Sequence, residues 1–274
     1  MKKKVDIRIK TLIENGLKTR QRTLFVIIGD RGRDQVVNFH YLLSKMSLKT
    51  RPKVLWCYKK ELGFSTHRKK RMNEVKKQLK KGLYDPDLEE PFDLFITSSE
   101  IRYCFYKETQ NILGNTFSML ILQDFESLTP NILCRTIETV EGGGIVILLL
   151  KTMTSLKQLY TMTMDIHSRF RTESHADVRP LFNERMILSL GVCKNCLVMD
   201  DELNILPISS LSKDIAPITE SETVETKASK ELASLKDSLK QNKLLGPIVS
   251  IAKTLDQAKV IMSLFEALTE KTIR

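Results

Sequence analysis

Short apolar runs of four to six residues recur along the first two hundred positions, and between them apolar side chains fall at every third or fourth place. The runs at 24–28, 54–57, 94–97, 118–122, 145–150 and 197–199 are partly β-branched or aromatic, and they read as strands buried on both faces. Residues 35–46, 65–81, 131–140 and 155–166 have helical spacing instead. A strand-helix succession of this kind predicts an α/β fold: a mostly parallel Rossmann/RecA-like sheet of about five strands with helices on both faces. Gly142, Gly143 and Gly144 are expected to end the helix before the run at 145. Helices near 155–169 and 181–190 should precede a hairpin-like pair, 197–199 and 205–207, across Asp200-Asp-Glu-Leu-Asn204.

From about 209 to 230 the chain turns to Ser, Thr, Lys, Glu, Asp and Ala with little to bury, the pattern of a flexible polar linker. A small C-terminal α/β appendage is expected beyond it: a helix over 232–244, a short strand over 247–251, and a helix opened by the capping box Thr254-Leu-Asp-Gln257. That last helix carries Ala258, Ile261, Met262, Phe265 and Leu268 on one stripe, which needs a surface to cover it. The division is therefore 1–208, an α/β domain; 209–230, the linker; and 231–274, the start of a further module.

With 274 residues, 42% of them hydrophobic and 28% charged, the chain can build a substantial core. Its longest apolar run, 145–150, is far short of the roughly 18 residues a membrane helix requires. Met1-Lys-Lys-Lys-Val-Asp lacks the apolar stretch of a secretory signal. Five cysteines scattered over apolar segments suit reduced thiols inside the cell. Cys193-Lys-Asn-Cys196 has the spacing of half a zinc site, but no second pair completes a tetrahedron, and the structural reading is favoured.

Charge changes the picture most. The formal net charge is +11, and residues 59–81 hold ten Lys or Arg against two Glu. A field this concentrated attracts a polyanion and releases its counterions. RNA or DNA is the first candidate partner, with Phe64, His67, Arg68, Lys69, Lys70, Arg71, Lys76, Lys77, Lys80 and Lys81 as the contacting residues. A charged helix that only keeps the protein in solution is the other reading. Phe64 is the stacking candidate; Trp56, inside an expected strand, is assigned to the core.

Strand 24–28 runs directly into Gly29-Asp30-Arg31-Gly32-Arg33-Asp34-Gln35 and then a helix, the order of a phosphate-binding loop. The residues depart from that motif. Arg33 stands where Lys belongs, Asp34 where Ser or Thr should hold magnesium, and Ile27 at the first glycine. Gly29, Asp30, Arg31, Gly32 and Arg33 are thus expected to form a relic nucleotide loop in which Arg31 and Arg33 can still take a phosphate. Leu122-Gln-Asp124-Phe-Glu126 similarly resembles a magnesium-positioning strand end, though an acid there is also a common helix cap. The histidines show no metal spacing, and His40 is expected as a packed edge residue.

Lys53-Val-Leu-Trp-Cys-Tyr-Lys-Lys-Glu-Leu-Gly-Phe-Ser-Thr-His-Arg-Lys-Lys-Arg71, taken with the 29–35 loop, resembles the amino-terminal region of the eukaryotic RNA cytidine acetyltransferases. The likeness continues through Ile112-Leu-Gly-Asn-Thr-Phe117, Thr139-Val-Glu-Gly-Gly-Gly144, Asn204-Ile-Leu-Pro-Ile-Ser-Ser210 and Lys253-Thr-Leu-Asp-Gln-Ala-Lys259. It implies a family that makes N4-acetylcytidine in small-subunit ribosomal RNA and some transfer RNAs, in the nucleus and nucleolus. Acetyl-CoA, ATP and magnesium are implied for the full-length family and none for this chain. The resemblance also implies a helicase-like ATPase beginning within 231–274 and an acetyltransferase domain after it. No catalytic residue carries over, so the chain alone is expected to be inactive. RNA, those downstream domains and ribosome-assembly factors are the implied partners, with no membrane. A non-catalytic interaction module for assembly factors is the alternative.

Overall fold

The computed structural model describes residues 5–46, 52–59, 77, 92, 95–96, 99–155, 157–162, 164–169, 173–174, 181–218 and 227–272. The chain divides into two compact units, Met1–Ile218 and Thr219–Arg274.

Six strands build the first unit: β1 (Thr23–Ile28), β2 (Val54–Tyr58), β3 (Ile101–Phe105), β4 (Phe117–Leu122), β5 (Val140–Leu150) and β6 (Cys196–Asp200). Their order is β3-β2-β4-β5-β1-β6, and every pairing is parallel. Alternation along the strands feeds two cores. Phe25, Ile27, Trp56, Ile121 and Ile147 face α1 (Ile7–Thr19) and α2 (Gly32–Met46). Val26, Leu55, Leu120, Leu148 and Val198 face the other layer, whose helices include α3 (Pro130–Ile137), α4 (Lys157–Thr161), α5 (Asp165–Arg169) and α6 (Leu181–Val192). With both faces covered, the central stretches of the interior strands are apolar, which is why they stand out as continuous apolar runs. The α/β class and the parallel sheet agree with the sequence expectation, with one strand more.

Several local expectations are corrected. The run at 94–97 is not a strand: Phe92, Phe95 and Ile96 are helical and buried at i, i+3, i+4. A short apolar run does not by itself separate helix from strand. The strand is β3, whose edge position leaves Arg102, Tyr103 and Phe105 exposed and so removes its apolar signal. Gly142, Gly143 and Gly144 do not end a helix; α3 stops at Ile137 and the glycines lie inside β5. A Cβ on Gly142 would sit 2.6 Å from the Arg20 carbonyl oxygen, and Gly143 has φ +89° with Leu17 Cα 3.1 Å from its Cβ position. These glycines let the end of α1 lie directly on the sheet. The expected 155–169 helix is broken into α4 and α5, and the hairpin reduces to one antiparallel bridge, Met199 to Ile205.

Residues 209–218, expected as the start of a flexible linker, are bound to α1. Asn15 Nδ2 donates to the Ala216 carbonyl at 2.8 Å, its Oδ1 accepts from Ile218 N at 2.9 Å, and Arg8 Nη1 reaches the Ser212 carbonyl at 3.1 Å. A polar segment has no side chains to bury, but its backbone groups still find partners.

Among the described residues the elements of the second unit are helices: α7 (Lys227–Leu239), α8 (Leu245–Ile251) and α9 (Leu255–Thr272). The strand expected over 247–251 is part of α8, so the appendage is α and not α/β. Pro247 falls in the first turn of α8, where its missing N–H costs nothing. The capping box holds: Gln257 N donates to Thr254 Oγ1 at 3.3 Å and Thr254 N to Gln257 Oε1 at 3.2 Å. Ala258, Ile261 and Phe265 of the expected stripe pack with Leu232, Leu245 and Val249, so α7 and α8 cover it, while Leu268 is exposed.

Candidate phosphate loop and basic surfaces

The parallel sheet brings the carboxyl ends of β1, β4, β5 and β6 to one rim, where open α/β sheets place their ligands. A cavity of about 240 Å³ lies there, lined by Asp30, Arg33, Gln123, Asp124, Glu126 and Lys151 among others. The 29–33 loop and the Leu122–Glu126 strand end, about a hundred residues apart in sequence, therefore do meet.

Three of the loop's backbone amides are already engaged. Gly29 N bonds the Leu150 carbonyl at 3.0 Å, and Gly32 N bonds the Gly29 carbonyl at 3.3 Å. Arg31 N bonds Asp201 Oδ2 at 3.3 Å. Gly29 holds φ +142°, and a Cβ there would lie 2.5 Å from Asp201 Cγ. Asp201 is anchored in turn by Gln35 Nε2, which donates to its carbonyl at 2.7 Å. A carboxylate of the protein thus lies against the loop where a phosphate cradle needs free amides.

The β4 end is equally committed. Gln123 accepts from Trp56 Nε1 at 3.2 Å, and its carbonyl accepts from the Tyr106 hydroxyl. Asp124, at φ +58°, makes no cap with its side chain; it accepts from Lys59 N at 3.0 Å. Glu126 pairs with Lys151 at 2.5 Å, which raises the lysine pKa, and Lys59 pairs with Asp165 at 2.5 Å. With Arg31 N held by Asp201, Glu126 tied to Lys151 and Asp124 accepting from Lys59 N, the rim does not fit a nucleoside triphosphate with magnesium.

Of the proposed nucleic-acid residues only Lys77 is described, helical and exposed. Phe64, His67, Arg68, Lys69, Lys70, Arg71, Lys76, Lys80 and Lys81 lie outside the described residues. Trp56 is fully buried. His40 is half-buried against the Phe95 ring, and burial lowers its pKa. Cys57 and Cys104 are register partners on β2 and β3; the hydrogen bond with Cys104, and then burial, push the Cys57 thiol up. Cys196 is buried in β6, which pushes its pKa to about 12, and Cys193 is half-buried beside α6. Among the described residues no helix is long and apolar enough to cross a membrane.

Sequence reasoning missed Asp201, read only as a turn residue, and Lys59, counted as a free cation. It also missed α1, although Asp6 followed by Ile9, Leu12, Ile13 and Gly16 is a capped amphipathic pattern.

The family description "tRNA(Met) cytidine acetyltransferase TmcA, N-terminal" matches residues 1–201. The chain belongs to the TmcA N-terminal family. RNA cytidine acetyltransferases of Mus musculus and Homo sapiens are each 58% identical to it across its whole length, and that of Saccharomyces cerevisiae is 55% identical over 99% of it. The chain spans about a quarter of the length of these relatives: 27%, 27% and 26%. The TmcA N-terminal match ends at residue 201, just after β6, so it covers the strands of the first unit and stops before the helical second unit.

Proposed function

We propose that this chain is the RNA-contacting and scaffold portion of an RNA cytidine acetyltransferase. The whole enzyme takes acetyl from acetyl-CoA to the exocyclic amine of cytidine in small-subunit ribosomal RNA and some transfer RNAs, with ATP and magnesium used by its later domains. The observation that carries this reading is the 58% identity over the full chain to proteins named for that activity. Two physical features support it. The nucleotide-like rim is lined by the chain's own carboxylates, already engaged with Arg31 N and Lys151, which suits a domain standing beside an engine. The basic segment 59–81 supplies a polyanion contact independent of any catalytic group. The nucleus and nucleolus are the proposed site of action.

The test is a chimaera in which this chain replaces the matching part of the Saccharomyces cerevisiae relative. N4-acetylcytidine in ribosomal RNA should persist, and K69E/R71E in the chimaera should lower it while the isolated chain transfers no acetyl group. Loss of acetylation in the unmutated chimaera, with the protein folded and abundant, would overturn the reading. If K69E/R71E keeps acetylation but loses capture of assembly factors, the interaction-module alternative takes its place.

A further inference from the structure

A trough runs between α1 and α2 on the face remote from the sheet. One depression in it, about 510 Å³, is walled by Lys10, Glu14, Lys18, Tyr41 and Lys45 over a floor that includes Leu42. A second, of about 1140 Å³, shares Tyr41 and continues past Gln35 and Asn38. Helical rise makes the stretch from Gln35 to Lys45 about 15 Å long.

Tyr41 is the unusual residue. The apolar positions of α2, Val36, Phe39 and Leu43, are buried as the helix period requires, whereas Tyr41 is 63% exposed at the middle of the trough. Three lysines surround it against one glutamate. Glu14 is held by Lys10 at 3.4 Å, an exposed i,i+4 pair that contributes little and yields readily to a stronger anion. Lys18 gives one hydrogen bond to the Ile218 carbonyl at 2.9 Å, leaving ammonium donors over.

An exposed aromatic ring amid exposed cations, over an apolar floor, is the chemistry of a single-strand platform: bases stack on the ring and phosphates take the ammoniums. An acidic peptide would use the lysines and leave the ring idle. We infer that the α1–α2 trough binds single-stranded RNA, with a base on Tyr41 and backbone phosphates on Lys10, Lys18 and Lys45. Along the second depression Asp6, Asp34, Asp201 and Glu202 outnumber Arg8 and Arg31, and this negative balance confines the phosphates to the lysine half. This inference rests on the RNA-contacting reading above, but assigns a surface separate from residues 59–81.

The 274-residue chain is titrated with a fluorescent single-stranded RNA of about 16 nucleotides, the upper site size of one such platform, at several salt concentrations. For K10E/K18E/K45E the slope of log affinity against log salt should shrink by about 2, since each single-strand phosphate contact carries about 0.7. Tyr41→Ala should weaken binding about tenfold while Tyr41→Phe, which keeps the stacking face, binds as the parent does. Ultraviolet crosslinks should map to the peptide containing Tyr41. Parent-like affinity and slope in K10E/K18E/K45E, with binding lost in K69E/R71E, would overturn the trough and leave the RNA-contacting reading standing. No RNA binding by the parent chain would overturn both. Equal loss in Tyr41→Phe and Tyr41→Ala, or crosslinks confined to other peptides, would overturn the trough, including in favour of a peptide occupant.

Discussion

Asp201 accepts from Arg31 N, 170 residues away in sequence, and its side chain occupies the space a Cβ on Gly29 would need. An alanine at Gly29 would have to adopt φ +142° with its Cβ inside the Asp201 side chain, so Gly29→Ala should lose about 2 kcal/mol of stability, read from the midpoint of urea unfolding. The glycine loop itself was legible from its position after an apolar run. Its closure was not, because nothing local to Asp201 distinguishes a turn acid from one that reaches a distant backbone amide. His40 gives a second residue-scale expectation. Burial lowers its pKa in the fold, so the unfolded chain binds more protons between the folded pKa and the ordinary value of about 6.5. Stability is then full above pH 6.5 and declines as pH falls through that window. His40→Gln should flatten this decline, as compared by melting temperature at pH 7.5 and 5.5.

Among the elements, β1, β2, β4, β5 and β6 were readable because burial on both faces strips them of polar positions, while edge strand β3 was not, having Arg102 and Tyr103 exposed. The glycine triplet was visible but misassigned, since its reason is the approach of α1 rather than a helix end. Bulk at Gly144 meets Val140 Cγ1 at 2.6 Å and the Ser118 carbonyl at 2.8 Å. Gly144→Ala should therefore cost about 2 kcal/mol or more by overpacking, measurable by chemical denaturation. Leu12→Ala, which removes a buried anchor of α1, should cost about 2–5 kcal/mol. The Lys10, Tyr41 and Lys45 surface was beyond sequence reading for a related reason: it exists only once α1 is recognised as a helix and laid beside α2.

For the whole molecule, the engaged loop and the paired acids at the rim predict that ATP with magnesium leaves the melting temperature of the chain unchanged. A ligand at a hundred times its Kd would add about 2.7 kcal/mol, so a thermal-shift measurement showing a clear rise would place a nucleotide where the carboxylates now lie. The helical unit Thr219–Arg274 has its own small core around Val249 and Ala258. The strand order has another consequence, concerning manufacture. β1 is made early, yet its two neighbours are β5 and β6, the last strands to be translated: Thr23 pairs with Ile145, and Leu24 with Cys196. At about 5–20 residues per second, a ribosome exposes this strand's five apolar side chains, Leu24 to Ile28, for many seconds before either flank arrives. Nascent chains arrested between β1 and β5 should therefore bind chaperones and be cut by proteases, and those arrested well after β6 should not.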